Sequence, residues 1–296
     1  MSTKLGRREA LWAYLFIAPL LIGLIVFYYF ATLQNIYYSF TDLGPFGKPN
    51  FTGLRNYQRL FADEKFYQSL IHTIKYVVVS VPTIVIISTL LATLLNAKIR
   101  GRELYRTLIF IPAVTMPAAI GLLWRWLYNY EYGLINLIFR FFELNPVAWL
   151  SDTRIVLYAI AVVLVWSMVS YQMIIALAGL QGISPTYYEA AEIDGAGKFQ
   201  QFFFITLPLL TPTLFFITVI SIINVFQIFD LIFLMIDPRA LSMRYAMSVV
   251  YYFFNRAFIV NERGYAATIS LALFVIILAV TIIQFKLQKK WVHYES

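Results

Sequence analysis

The chain runs to 296 residues, of which 61% are hydrophobic, 18% aromatic and only 13% charged. A soluble globular domain carries roughly 25% charged residues, so the charges here are too few to coat a water-facing surface, and lipid must be the solvent for much of the chain. The absence of cysteine excludes a disulfide framework or a thiolate site, and the net charge of +8 is read as Lys and Arg held at cytoplasmic helix ends, with no nucleic-acid partner expected.

A spanning helix needs about 20 apolar residues, and the sequence holds six charge-free windows of 18 residues or more. The first, Ala10 to Thr41, is 32 residues long and follows Lys4, Arg7 and Arg8. It is too long for the apolar part of a secretory signal and no small-residue cleavage site follows it, so it is expected to remain as a span. The second, Tyr76 to Ala97, has 22 residues and leads into a short basic hairpin with Lys98, Arg100, Arg102 and Arg106. The third, Thr107 to Trp124, has 18 residues, and the fourth, Ile155 to Tyr188, has 34. The fifth, Phe199 to Phe229, has 31 residues and the sixth, Gly264 to Phe285, has 22.

Open sheet edges cannot face hydrocarbon, so the predicted fold is all-α, a polytopic membrane protein with six transmembrane helices. Connections 35–72, 129–154 and 237–265 are long. The N-terminal basic cluster, the hairpin at 98–106 and the tail with Lys286, Lys289 and Lys290 fall on one side if six helices alternate, which the positive-inside rule makes cytoplasmic. Lys plus Arg total 11 on one side and 12 on the other, so the orientation rests on clustering at helix ends. Both termini are then expected in the cytoplasm, with residues 1–9 an N-terminal tail, 10–285 the transmembrane domain and 286–296 a C-terminal tail. Pro19, Pro82, Pro112, Pro117, Pro208 and Pro212 fall within or beside the spans, where each removes a backbone donor and permits a kink.

Gln181 to Pro208 joins the fourth and fifth windows on the predicted cytoplasmic side. Ser184-Pro185 is a helix-start signal, and Thr186 and Glu189 have capping-box spacing. A short helix is predicted to run from there to a left-handed cap at Gly195. A second short helix, Lys198 to Thr206, leads into the fifth span, giving a coupling hairpin at 184–206. Gly195-Ala196-Gly197-Lys198 falls short of a phosphate-binding loop of the form GxxxxGK[ST]. Its first glycine would have to stand at Glu192, and Phe199 follows the lysine.

The spacing Glu189-Ala190-Ala191, three residues, Gly195, nine residues, Ile205-Thr206-Leu207-Pro208 matches without a gap the EAA motif of binding-protein-dependent ABC importer permeases, and Ile193-Asp194-Gly195-Ala196 matches its common IDGA form. Leu15-Phe16-Ile17-Ala18-Pro19, the segment Arg106 to Pro112, and Gly264-Tyr265-Ala266-Ala267 resemble the sugar-transporting branch, so the likeness covers nearly the whole chain. It implies a permease subunit of the bacterial or archaeal cytoplasmic membrane, paired with a second homologous permease. An ATPase dimer would bind ATP and magnesium, leaving no cofactor in this chain, and an extracytoplasmic sugar-binding protein would deliver the cargo. Glu189, Ala190, Ala191, Asp194, Gly195, Ile205, Leu207 and Pro208 are the implied coupling residues. The loop Asp237 to Arg263 would help to receive the binding protein, with an aromatic belt of Tyr251, Tyr252, Phe253 and Phe254 as the alternative.

Polar groups at membrane depth usually point to a bundle interior. Ser221, Asn224 and Gln227 recur every three residues in the fifth window, with Asp230 near its outer end. Ser167, Ser170 and Tyr171 share a face of the fourth window, with Gln172 beside them. Ser170, Tyr171, Gln172, Ser221, Asn224, Gln227 and Asp230 are the candidate substrate lining, and interhelical hydrogen bonding is the alternative. His72 and His293 stand apart with no ligand-like spacing, and no nucleophile–base constellation is present, so the chain is expected to be non-catalytic. The cargo expected is a di- or oligosaccharide, with glycerol-3-phosphate the alternative in the same class. A self-contained secondary transporter would need charged residues at midspan, and a membrane-embedded enzyme would need clustered His, Asp or Glu.

Overall fold

A computed structural model of the chain describes residues 3–46, 48–97 and 100–292, and all regular structure among them is helical apart from one isolated bridge between Thr41 and Phe51. Lys98, His293 and the side chains of Lys4, Arg7 and Arg8 lie outside the described residues. Helix α1 runs from Thr3–Leu24 through a π-helical stretch, Ile25–Phe30, into Ala31–Ser39. It is followed by α2 (Arg55–Phe61), α3 (Glu64–Asn96), α4 (Arg102–Val114), α5 (Pro117–Leu127), α6 (Leu134–Phe141) and α7 (Val156–Gln181). Next come α8 (Pro185–Ile193) and α9, which starts at Lys198–Gln201, passes a π-helical stretch at Phe202–Thr206 and continues as Leu207–Phe226. The chain ends with α10 (Asp230–Met235), α11 (Met243–Ala246), α12 (Val249–Phe254) and α13 (Arg263–Gln288).

Among the described residues five helices are long and apolar enough to cross a membrane: Glu9–Ser39, Glu64–Asn96, Val156–Gln181, Lys198–Phe226 and Arg263–Gln288. The third window is not the single helix expected. It is divided between α4 and α5, which are bent by 101°. Pro117 is the cause: it restricts the residue before it, and Met116 is extended at φ −57°, ψ 131°. Helix α3 also begins well inside the connection predicted for 35–72. At 33 residues it is about 50 Å long, so its charged first turns extend beyond a hydrocarbon core of about 30 Å.

The chain divides into two compact units, Met1–Asp63 with Phe253–Phe274 and Glu64–Tyr252 with Val275–Ser296. In the first, Asn56 Nδ2 donates to the carbonyls of Ser39 and Thr41 at 2.9 and 2.8 Å. These are carbonyls that the end of α1 leaves without helical partners. The Gly264 N–H donates to Leu43 O at 2.9 Å, and a Cβ on Gly264 would collide with the carbonyl oxygen of Thr41. The three residues that follow it, Tyr265, Ala266 and Ala267, are all buried. The Tyr265 hydroxyl donates to Asp63 Oδ2 at 2.5 Å, Arg59 stacks 4.1 Å from its ring centre, and Arg59 and Arg256 both pair with Glu262. The Gly-Tyr-Ala-Ala start of the last helix thus has a packing reason at each position.

In the second unit α7 is the central helix. It is apolar on all sides, as suits a helix packed on one part of its surface and open to lipid on another, and packs against α3, α4 and α9. One buried cluster gathers Tyr76, Ile84, Ile160, Val163 and Ile232, and another gathers Ala92, Met173, Ala176, Leu210 and Ile217. Two polar pairs tie the elements of this unit: Tyr76 donates to Ala246 O at 3.0 Å and the Val249 N–H to Thr73 Oγ1 at 3.0 Å. The segment 129–154 is gathered by buried Asn136. Its Oδ1 accepts from the Val147 N–H at 3.0 Å and Trp149 Nε1 at 3.1 Å, while its Nδ2 donates to Val147 O at 2.9 Å. Tyr251 and Tyr252 are buried and not part of a surface belt. Their helix turns inward because the Ser248 hydroxyl donates to Ile228 O at 2.6 Å and accepts from the Tyr251 N–H at 3.1 Å.

Candidate functional site

The second unit holds two candidate sites, a helical hairpin and a polar cavity. The hairpin starts at Ser184, which is extended at ψ 131° and followed by Pro185 at the first helical position. No side-chain cap forms there; the Ser184 and Thr186 hydroxyls meet each other at 2.6 Å. The Thr186–Glu189 capping box does not form, because Thr186 lies inside the helix and has helical backbone at the position where a cap must be extended.

Helix α8 ends as its sequence predicts. Gly195 has φ +80°, its N–H donates to Glu192 O at 3.1 Å, and the Ala196 N–H donates to Ala191 O at 2.8 Å. This pair of bonds is a Schellman turn, which satisfies two of the last carbonyls of the helix and calls for glycine at the left-handed position. The return arm is fixed by Gln200 Oε1, which accepts from the Gly197 N–H at 2.9 Å, and by buried Gln201, whose Nε2 donates to Ala196 O at 3.1 Å. The two arms are tied by Tyr188 and Thr206, hydroxyl to hydroxyl at 3.0 Å. Lys198 pairs with Glu192 and holds that carboxyl below the usual carboxylate range, chiefly through the hydrogen bond between them.

The second arm is not a separate short helix. It runs without a break into α9, in π register from Phe202 to Thr206. The proline ring of Pro208 conflicts with the carbonyl four residues before it and brings no N–H to bond it. Widening the turn beside it accommodates that conflict. Of the eight residues expected to couple, Glu189, Ala190, Asp194 and Gly195 are exposed, while Ala191, Ile205, Leu207 and Pro208 are partly buried. Around them Ile193, Phe199 and Phe204 are 87%, 82% and 79% exposed. A hollow of about 310 Å³ between Asp194, Gly195, Gln200 and Phe204 opens beside the turn.

The cavity, of about 480 Å³, lies where α4 and α5 bend apart and α9 gives way to α10. Tyr171, Gln172, Asn224, Gln227 and Asp230 line it together, with Ser167 beside them. Gln227 and Asp230 reach it because α9 stops at Phe226 and the chain turns there before α10 begins. The Gln172 side chain is 1% exposed and its Oε1 has no hydrogen-bond partner among the described residues. Ser170 and Ser221 are not among the lining residues. Ser170 is buried and donates to Ile109 O at 2.6 Å, bridging α7 to α4, and Ser221 is fully buried. Thr115, Pro117 and Phe229 are in the wall too, with apolar residues of α4, α5, α7 and α10 around them. Thr115 and Phe229 carry no signal in the sequence, whereas Pro117 stands out there with Pro112 as a residue that permits a kink.

The profile of binding-protein-dependent transport system inner membrane components matches residues 60–293. The trehalose/maltose transport system permease MalF of Thermococcus litoralis is 32% identical over 288 residues, 97% of this chain and 96% of that one. The sn-glycerol-3-phosphate transport system permease UgpA of Agrobacterium fabrum is 32% identical over 285 residues, 95% of this chain and 96% of that one. Among solved structures, a chain of a bacterial alginate ABC transporter, in complex with its alginate pentasaccharide-bound periplasmic protein, has the same fold. Its TM-score is 0.87 at 19% identity, with 98% of each chain covered. The chain therefore belongs to the family of inner membrane components of binding-protein-dependent transport systems.

Proposed function

We propose that the chain is one half of a heterodimeric sugar importer. It crosses the cytoplasmic membrane six times, with the α4–α5 pair as its third span, and holds both termini in the cytoplasm. Residues 10–285 form the transmembrane domain between the two short tails. The hairpin at 184–206 docks on a separate ATPase dimer, which binds ATP and magnesium. Closure of that dimer moves the hairpins of both permease halves, switching the pathway between inward and outward access. An extracytoplasmic binding protein delivers the sugar.

The observation that carries this reading is the hairpin itself. A fixed Schellman turn presents Glu189 and Ala190 in the open, flanked by the exposed Ile193, Phe199 and Phe204. Apolar side chains so placed, around small residues that permit close approach, suit a protein partner in water. The need for a second permease is supported by Glu9–Ser39, whose apolar window has no buried residue within this chain. The cavity supports a sugar as cargo, since it joins an aromatic face at Tyr171 with the amides of Gln172, Asn224 and Gln227. The kinship with a glycerol-3-phosphate permease favours a second reading, in which the same machine carries that phosphate.

The coupling role is tested by Glu189→Lys and Gly195→Asp in the complete transporter. Both variants are expected to insert normally and to hydrolyse ATP without accompanying uptake. Normal uptake by both would overturn the assignment.

A further inference from the structure

On the reading that the cavity is part of the transport pathway, we propose that Asp230 makes it a charge filter. Its cargo is an uncharged polyhydroxyl compound, and phosphorylated and uronate compounds are turned away.

The case rests on the balance of groups in the cavity wall. Its volume of about 480 Å³ lies within the range of small-molecule sites, about 300–1,000 Å³. Asp230 lines it and is exposed to it, and no Lys, Arg or His is among the described residues that do so. Arg125 of α5 is not in the wall; its Nη1 donates to Leu234 O at 3.4 Å. Gln172 adds a buried acceptor, Oε1, that nothing among the described residues satisfies. A carboxylate accepts hydrogen bonds, and beside the amide N–H groups of Asn224 and Gln227 it gives the wall places for ligand donors as well as acceptors.

Sugar hydroxyls supply both, and the exposed ring of Tyr171, 57% accessible, offers an apolar face for a sugar ring. A phosphate or carboxylate brings a like charge. It would enter a cleft whose low-dielectric walls screen that repulsion poorly. The binding protein selects cargo before it reaches the membrane; Asp230 would act as a second selection inside it.

The chain has no cysteine, which permits a direct reading of the local potential. In membrane vesicles containing the complete transporter, Asn224→Cys is treated with a cationic and an anionic methanethiosulfonate reagent of equal size. The cationic reagent is expected to react faster by about tenfold, after correction for the ratio at a free thiol. Adding Asp230→Asn should bring that preference to about unity. An unchanged preference in the double variant, or none in the single one, overturns the filter while leaving the pathway reading in place. If neither reagent reaches Asn224→Cys although Tyr132→Cys, exposed in the 129–154 connection, reacts, the pathway reading falls and the filter with it. A second arm measures labelled glycerol-3-phosphate in cells that express the complete transporter. Accumulation should not exceed that in cells lacking this chain, and chain-dependent accumulation overturns the proposal.

Discussion

Gly195 is the residue on which the hairpin turns. At φ +80° an L side chain costs about 1–2 kcal/mol, so Gly195→Ala should weaken the turn without unfolding the bundle. Hydrogen exchange at the Ala196 amide would register it, while the thermal midpoint in detergent stays close to that of the parent. Asn136 is a different case, because it satisfies the backbone of a long connection. Asn136→Ala leaves the Val147 N–H and the Trp149 indole without their acceptor, and each orphaned buried group costs about 1–3 kcal/mol. A lowered thermal midpoint and faster proteolysis within 129–154 are expected. Gly264 is required for a steric reason. Gly264→Ala should lower the thermal midpoint, since overpacking costs about 1–3 kcal/mol where a Cβ meets the Thr41 carbonyl. Gly195 was legible from sequence because cap and spacing agree. Asn136 was not, because its partners lie 11 and 13 residues away and no local pattern links them.

At the scale of elements, charge-free windows located every long helix but were blind to backbone geometry. The third window reads as a helix by composition, yet Pro117 divides it, and only the lost N–H and the restricted Met116 reveal the bend. The π register of Phe202–Thr206 was equally hidden, since periodicity of apolar residues does not distinguish α from π over one turn. That register has a consequence: one residue is about 100° of helix rotation, so it sets the angle at which the hairpin leaves α9. Pro208→Ala removes the steric reason for it. The variant is expected to insert normally and to lose most of the uptake supported by each ATP hydrolysed. Measured uptake per ATP equal to the parent's would show that the π stretch has some other cause. Of the candidate lining, Asn224 and Gln227 were found from helical spacing. The same spacing included Ser221, which is fully buried. A roughly 120° arc on a helix is wide enough to cover both a cavity edge and a packed interface, and sequence alone does not divide it.

For the molecule as a whole, the all-helical fold was legible from the scarcity of charge. The family was legible from the fixed spacing between Glu189 and Pro208. What lies beyond a single chain was only implied. The bare first helix, the exposed hairpin and the cavity with its unpartnered Gln172 Oε1 are the features on which the proposed partners rest. The central claim is that this chain is an incomplete transporter whose engine is another subunit. Copurification combined with solo reconstitution tests it most directly. A tagged chain, extracted in mild detergent from cells that express the whole system, is expected to bring down a second permease and an ATPase. The same chain purified alone into liposomes should transport no sugar. Sugar uptake by the chain alone, without ATP or any other subunit, would contradict the account.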